Sequence, residues 1–167
     1  TLAAAGTKDF MIVKASRGGG GNSYWLKGNG DDHMYRHVVA TVREAVEQLP
    51  AGTEFEIVGL LYLQGESDHS AEAAVAGERL RSLAVNLRKD LPNAAAMKVL
   101  VSGIVPSGKN QDIVRAQQSA LPAVDPSFRY LDNMVWKPRR YDGAHYVKPA
   151  KLELGQRLGN RWLEWTK

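Results

Sequence analysis

Cysteine is absent from this chain of 167 residues. Its absence excludes a disulfide framework, a thiolate zinc site and a cysteine nucleophile. It does not fix the compartment, because a secreted domain of this size can manage without disulfides. Long apolar runs are also missing: no stretch approaches the roughly 18 residues that a membrane span needs. Thr1 to Gly6 has neither the basic start nor the apolar run and cleavage site of a signal peptide, a pattern shared by mature, processed and truncated chains. Internal repeats and low-complexity linkers are lacking as well. What is present, 44% hydrophobic and 24% charged residues, is the composition of a globular protein. The length suits one domain over residues 1–167, with a core large enough to fold without staples.

The chain carries 22 Lys+Arg against 18 Asp+Glu, a net charge of +4. Most of the basic residues are scattered, with carboxylates between them. The densest group is Lys137, Arg139 and Arg140, followed by Lys148 and Lys151. Such a group reads as solvated surface or as a field that draws anionic substrate toward a site. Neither a nucleic-acid partner nor a membrane is expected; a polyanion-binding module built on Lys137 to Lys151 would show salt-sensitive affinity.

Strand-like and helix-like segments alternate along the chain. Phe10 to Ala15 is a short apolar run with branched residues and reads as a buried strand. It ends in Arg17 and the four glycines Gly18 to Gly21, which suit a loop rather than a strand or helix. Asp31 or Asp32 caps an expected helix to about Gln48, and Pro50 and Gly52 stop it. Phe55 to Leu63 is the most hydrophobic segment and reads as a central strand buried on both faces. A second helix is expected from about Ser70 to Leu91, closed by Pro92. Met97 to Val105 reads as another buried strand, Asn110 to Leu121 as a helix and Phe128 to Leu131 as a short strand. An irregular stretch runs to about Pro149, before a last amphipathic helix over Lys151 to Trp165. This alternation implies an α/β fold: a three-layer α/β/α sandwich with a mainly parallel sheet.

Ligands of such folds bind beyond the carboxyl ends of the strands, and three unusual clusters fall there. The glycine run Gly18 to Gly21, with Asn22 and Ser23 after it, offers unhindered backbone N–H groups that suit a phosphate or an oxyanion. It matches neither the phosphate-loop nor the dinucleotide pattern. Gln64-Gly65-Glu66 follows the most apolar strand directly. The Gln64 amide has two donors, Gly65 permits close backbone approach, and Glu66 is a base, a ligand or a buried brace. The competing reading is a polar turn in which Ser67, Asp68 or Ser70 caps the next helix. Asp142-Gly143-Ala144-His145 sets a carboxylate three residues before an imidazole, spacing that lets the acid accept the Nδ1 proton and leaves Nε2 as a base. His33 and His37 have the spacing of two ligands on one helix face, but nothing in the sequence completes a set, and no metal is expected.

Taken in this order, the clusters resemble the SGNH-hydrolase superfamily, in the branch of sialate O-acetylesterases and acetylxylan-esterase-like carbohydrate esterases. The matching segments are Ile12 to Gly19 with Trp25 following, Tyr62-Leu63-Gln64-Gly65-Glu66-Ser67-Asp68, Val114-Arg115-Ala116-Gln117, and Asp142-Gly143-Ala144-His145. The resemblance covers the chain from Phe10 onward. It implies a serine esterase that removes acetyl or other acyl groups from carbohydrate hydroxyls without metal or organic cofactor. His145 would be the general base and Asp142 its orienting acid. Gly18 or Gly19 would give a backbone donor to the oxyanion, Gln64 a side-chain donor, and Glu66 would support that loop or the substrate. Arg115 and Gln117 would be structural. A secreted or periplasmic location is implied by the resemblance alone.

The sequence departs from that pattern in one respect. The family's nucleophilic serine sits in a Gly-Gln-Ser-Asn-type turn after a first strand, and no such motif precedes Phe10. The expectation is therefore a domain without its first strand and nucleophile turn. Ser16, Ser23 and Ser67 are the other hydroxyls to weigh, with Ser67 matching a loop residue. The rival class is a carbohydrate-binding pseudoenzyme, in which Trp25, Trp136 and Tyr146 stack on sugar rings without turnover.

Overall fold

The computed structural model describes residues 9–30, 32–134 and 145–166. Three parallel strands, β1 (Gly59–Tyr62), β2 (Lys98–Ser102) and β3 (Phe128–Leu131), form a sheet in the order β1-β2-β3. Gly59 pairs with Lys98 and Tyr62 with Val101; Val99 pairs with Phe128 and Ser102 with Leu131. The helices are α1 (His33–Glu47), α2 (Ser70–Ala74), α3 (Ala76–Asp90), α4 (Lys109–Ser119), α5 (Leu121–Val124) and α6 (Lys148–Thr166).

Alternation along the strands sorts the residues between two layers. Leu60 and Tyr62, Val99 and Val101, and Phe128 and Tyr130 face one side, where they pack with Tyr35 and Val38 of α1 and Leu80, Leu83 and Leu87 of α3. Gly59, Lys98, Arg129 and Leu131 face the other, against α6: the Trp162 ring lies over Gly59, Lys98 and Arg129 stack on Trp165, and Leu131 packs with Leu154. This is the α/β arrangement with helices on both faces of a parallel sheet. Each fully buried leucine or phenylalanine contributes about 1.5–3 kcal/mol, so the cluster on the α3 side is the main source of stability. Arg88 and Lys89 in the last turn of α3 suit its carbonyl end, and Pro149 is tolerated in the first turn of α6.

Several expectations are corrected. Phe10 to Ala15 forms no strand, and Phe10, Met11 and Ile12 are exposed, Ile12 by 68%. A β-prone run becomes a strand only by pairing its backbone with a neighbour's, and the sheet of the described residues is made of β1, β2 and β3 alone. Phe55 to Leu63 is not a central strand buried on both faces: only Gly59–Tyr62 pairs, it lies at the sheet edge, and Val58, Leu61 and Leu63 are exposed. The central strand is β2, with Val99, Leu100 and Val101 fully buried. The helix expected over Ser70 to Leu91 breaks at Val75, whose φ of −117° and ψ of 11° separate α2 from α3. Asp32 precedes α1 without capping it by its side chain; its carboxylate accepts the Gly28 N–H at 3.1 Å and pairs with Arg36. Asp31 lies outside the described residues.

Candidate active site

Two loops far apart in sequence meet at the carboxyl end of β1. The chain leaves β1 through Leu63 and makes the turn Gln64-Gly65-Glu66, where Gly65 takes φ of +137°. A side chain there would meet Val114 Cγ1 at 2.6 Å and Ile104 Cδ1 at 3.1 Å. Glycine is therefore required both by its backbone angle and by the close approach of α4. Gln111 of α4 donates to the Glu66 carbonyl at 2.9 Å, and Gln118 Nε2 donates to the Gln64 carbonyl at 3.0 Å. The turn is thus held from behind by side chains of α4.

The Gln64 amide has one orientation. Buried Tyr62 O–H donates to Gln64 Oε1 at 2.6 Å, and burial beside the Asp68 and Glu66 carboxylates pushes that phenol's pKa well up, keeping it a donor. Nε2 then donates to Asp68 Oδ1 at 2.8 Å and, at a longer 3.4 Å, to the carbonyl of Gly20. That last contact joins the glycine loop to the turn.

Asn22 anchors the same loop. Its backbone N–H donates to Asp68 Oδ1 and its Nδ2 to Asp68 Oδ2, both at 2.8 Å. Nδ2 also donates to the Glu72 carbonyl, and Arg79 donates to Oδ1. Asn22 and Asp68 are both buried. The Glu72 carboxylate occupies the space a Cβ on Gly21 would need and pairs with Arg79 at 3.5 Å. Burial pushes the Asp68 carboxyl above the usual carboxylate range, while the donors on Gln64 and Asn22 pull the other way. At the loop's outer end, side chains added to Gly18 or Gly19 would meet nothing within 4 Å, and Gly19 has φ of +72°.

Glu66 and His145 come within electrostatic reach of each other. Burial pushes the Glu66 carboxyl up, its backbone donors pull it down, and His145 acts in the same downward sense. His145 is exposed, whereas Tyr146 beside it is buried and donates its O–H to the Gly103 carbonyl, beyond the end of β2, at 2.8 Å. Tyr146 therefore ties the histidine's segment to the end of the sheet. Asp142, the expected orienting acid, lies outside the described residues, as do Trp136, Lys137, Arg139 and Arg140.

The structure thus brings Gln64, Glu66, His145 and the glycine loop to one end of the sheet. Asp68 was expected, if anything, to cap a helix; α2 has no side-chain cap, and Asp68 binds Asn22 and Gln64 instead. Tyr62, Asn22 and Asp68 were not singled out in the sequence as members of one unit. The only sequence signal was position: Asn22 follows the glycine run, and Asp68 ends the Gln-Gly-Glu-Ser-Asp element. Arg115 donates to the Ile104 carbonyl and to Asp132. Tyr146 is not placed to stack on a sugar, being buried, and Trp25 packs edge-on against Tyr62 with centroids 6.2 Å apart. Among the described residues no group of three or more ligating side chains gathers as a metal would require, and no helix is long and apolar enough to cross a membrane.

A sequence profile of the family described as "carbohydrate esterase, sialic acid-specific acetylesterase" matches residues 2–164. The fold is similar to an X-ray structure of a protein from Arabidopsis thaliana, with a TM-score of 0.72 and 27% identity. That match covers 90% of this chain and 58% of the plant protein, so the chain spans a little over half of that relative's length. No curated protein matches the chain.

Proposed function

The chain belongs to the sialic acid-specific acetylesterase family of carbohydrate esterases, and from that premise we propose that it removes acetyl groups from carbohydrate hydroxyls by serine-type acyl transfer. One observation carries the proposal: the contact of Gln64 with Gly20 sets the glycine loop beside the turn that holds Glu66, whose carboxyl lies within electrostatic reach of His145. On this reading His145 is the base, and the glycine loop and the Gln64 amide supply the two kinds of oxyanion donor.

In this scheme the hydroxyl of a serine that the present sequence does not identify attacks the ester carbonyl carbon, and His145 accepts its proton. The tetrahedral oxyanion receives a backbone N–H from Gly18 or Gly19 and the second amide hydrogen of Gln64. That hydrogen is held only by the 3.4 Å contact to Gly20, whereas the first stays on Asp68 at 2.8 Å. Collapse breaks the C–O bond to the sugar, and the departing oxygen takes the proton from His145. Water, deprotonated by the same imidazole, releases acetate and restores the serine. Asp142 orients His145, and Glu66 gives the imidazolium a nearby carboxylate.

Labelling with a fluorophosphonate, together with acetate release from an O-acetylated sugar, tests the reading. A modified serine with release of acetate, both abolished by His145→Ala, is the expected result. Asp142→Asn should lower turnover by on the order of a thousandfold or more with little change in melting temperature. Retention of the sugar with neither labelling nor turnover would overturn the proposal in favour of a carbohydrate-binding protein.

A further inference from the structure

We propose that Asp68 is a positioning residue for the oxyanion donors, holding the glycine loop and the Gln64 amide in one fixed relationship. Its catalytic part rests on the esterase reading above; its structural part does not. Asp68 accepts three hydrogen bonds, from Asn22 N–H, Asn22 Nδ2 and Gln64 Nε2, each at 2.8 Å. Two come from the residue that ends the glycine run, and the third comes from the turn 42 positions further along, between Asn22 and Gln64. A carboxylate is the side chain that fits here, because each of its three hydrogen-bond partners is a donor and it has acceptor sites alone. With Tyr62 O–H on Oε1, Asp68 leaves the Gln64 amide no second orientation. Asn22 is further tied by Glu72 and Arg79, so movement of Asp68 is felt at the loop and at the amide together. Preorganised donors of this kind act by costing no reorganisation as the negative charge develops.

Asp68→Asn is the informative variant. It keeps size and shape, yet turns one acceptor oxygen into an NH2 that must face a donor on Asn22 or Gln64. The experiment joins p-nitrophenyl acetate kinetics with hydrogen–deuterium exchange on peptides covering residues 18–23 and β2. The expected result is a fall in kcat of about a hundredfold with KM changed by less than about twofold. Exchange should rise in residues 18–23 while β2 stays protected. Equal loosening of β2 would mean that Asp68 serves only general stability, and unchanged exchange in residues 18–23 would mean that it holds nothing; either overturns the proposal. If Asp68→Asn does not fold, Asn22→Ala removes the Nδ2 half of the pair while sparing the carboxylate, and the same pattern of exchange is required of it. A wild-type chain that releases no p-nitrophenol would sink the esterase reading, while the exchange data would still decide the role of Asp68.

Discussion

The Trp162 ring of α6 lies over Gly59 in the space a Cβ would occupy. A glycine at the first position of an edge strand is otherwise unfavourable, since it packs nothing and loses the most backbone entropy. Here it sets how closely α6 approaches the sheet, with Trp165 stacked edge-on against Trp162 at 5.8 Å between centroids.

Gly59→Ala is therefore expected to destabilise the protein by about 1–3 kcal/mol, the usual penalty of overpacking. The collision is with one ring, so the double variant Gly59→Ala with Trp162→Leu should be more stable than the sum of the two single changes predicts. Thermal or urea unfolding of the four proteins measures the coupling. Strict additivity would show that the contact does not limit the packing of α6.

Gly65→Ala tests the turn that carries Gln64 and Glu66. The new methyl meets Val114 and Ile104, and the residue must hold a φ of +137°. Backbone strain of about 1–3 kcal/mol is expected, and the displaced turn should lower esterase turnover further than the loss of stability accounts for. An active, fully stable Gly65→Ala protein would contradict the geometry.

Part of this was legible in the sequence. Phe128–Leu131 has the bounds expected of it, and in the fold its side chains alternate between the two layers. Phe55 to Leu63 was not, because hydropathy reports that a segment prefers burial but not which neighbours exist to bury it. The break at Val75 was invisible because Ser70 to Leu91 has continuous helical periodicity, and a change in one residue's φ and ψ leaves no compositional mark. The site divides the same way. Gln64, Glu66 and His145 stood out as polar residues at strand ends, but the bonds that join Gln64 to Asp68 and Asp68 to Asn22, the latter across 46 positions, exist only once the fold is made.

The two sides of the sheet edge predict unequal responses to one chemical change. Leu61 is 49% exposed, while its β2 partner in the register, Leu100, is fully buried. Leu100→Ala should cost about 2–5 kcal/mol, whereas Leu61→Ala should stay within about 1 kcal/mol. Chemical denaturation of both variants checks this. Similar losses at the two positions would mean that Leu61 is covered in solution.

Glu66 gives the pH prediction. Its carboxyl is pushed up mainly by burial, so the folded state binds this proton more tightly than the unfolded chain does. Its contribution to stability is complete below the unfolded value and is lost as pH rises through the raised folded value. Glu66→Gln removes the titration and keeps the size. The variant should match the wild type at a pH below the ordinary glutamate range and become the more stable of the two as pH rises through the window between the unfolded and folded values. Esterase activity should move the other way. Above that window the wild type holds a carboxylate near His145, and the variant cannot, so the variant is expected to be the slower enzyme there. Melting temperatures and kcat measured across the same buffers separate the two effects. A wild type that becomes the more stable of the two as pH rises would show that the carboxylate is held by partners stronger than its burial penalty.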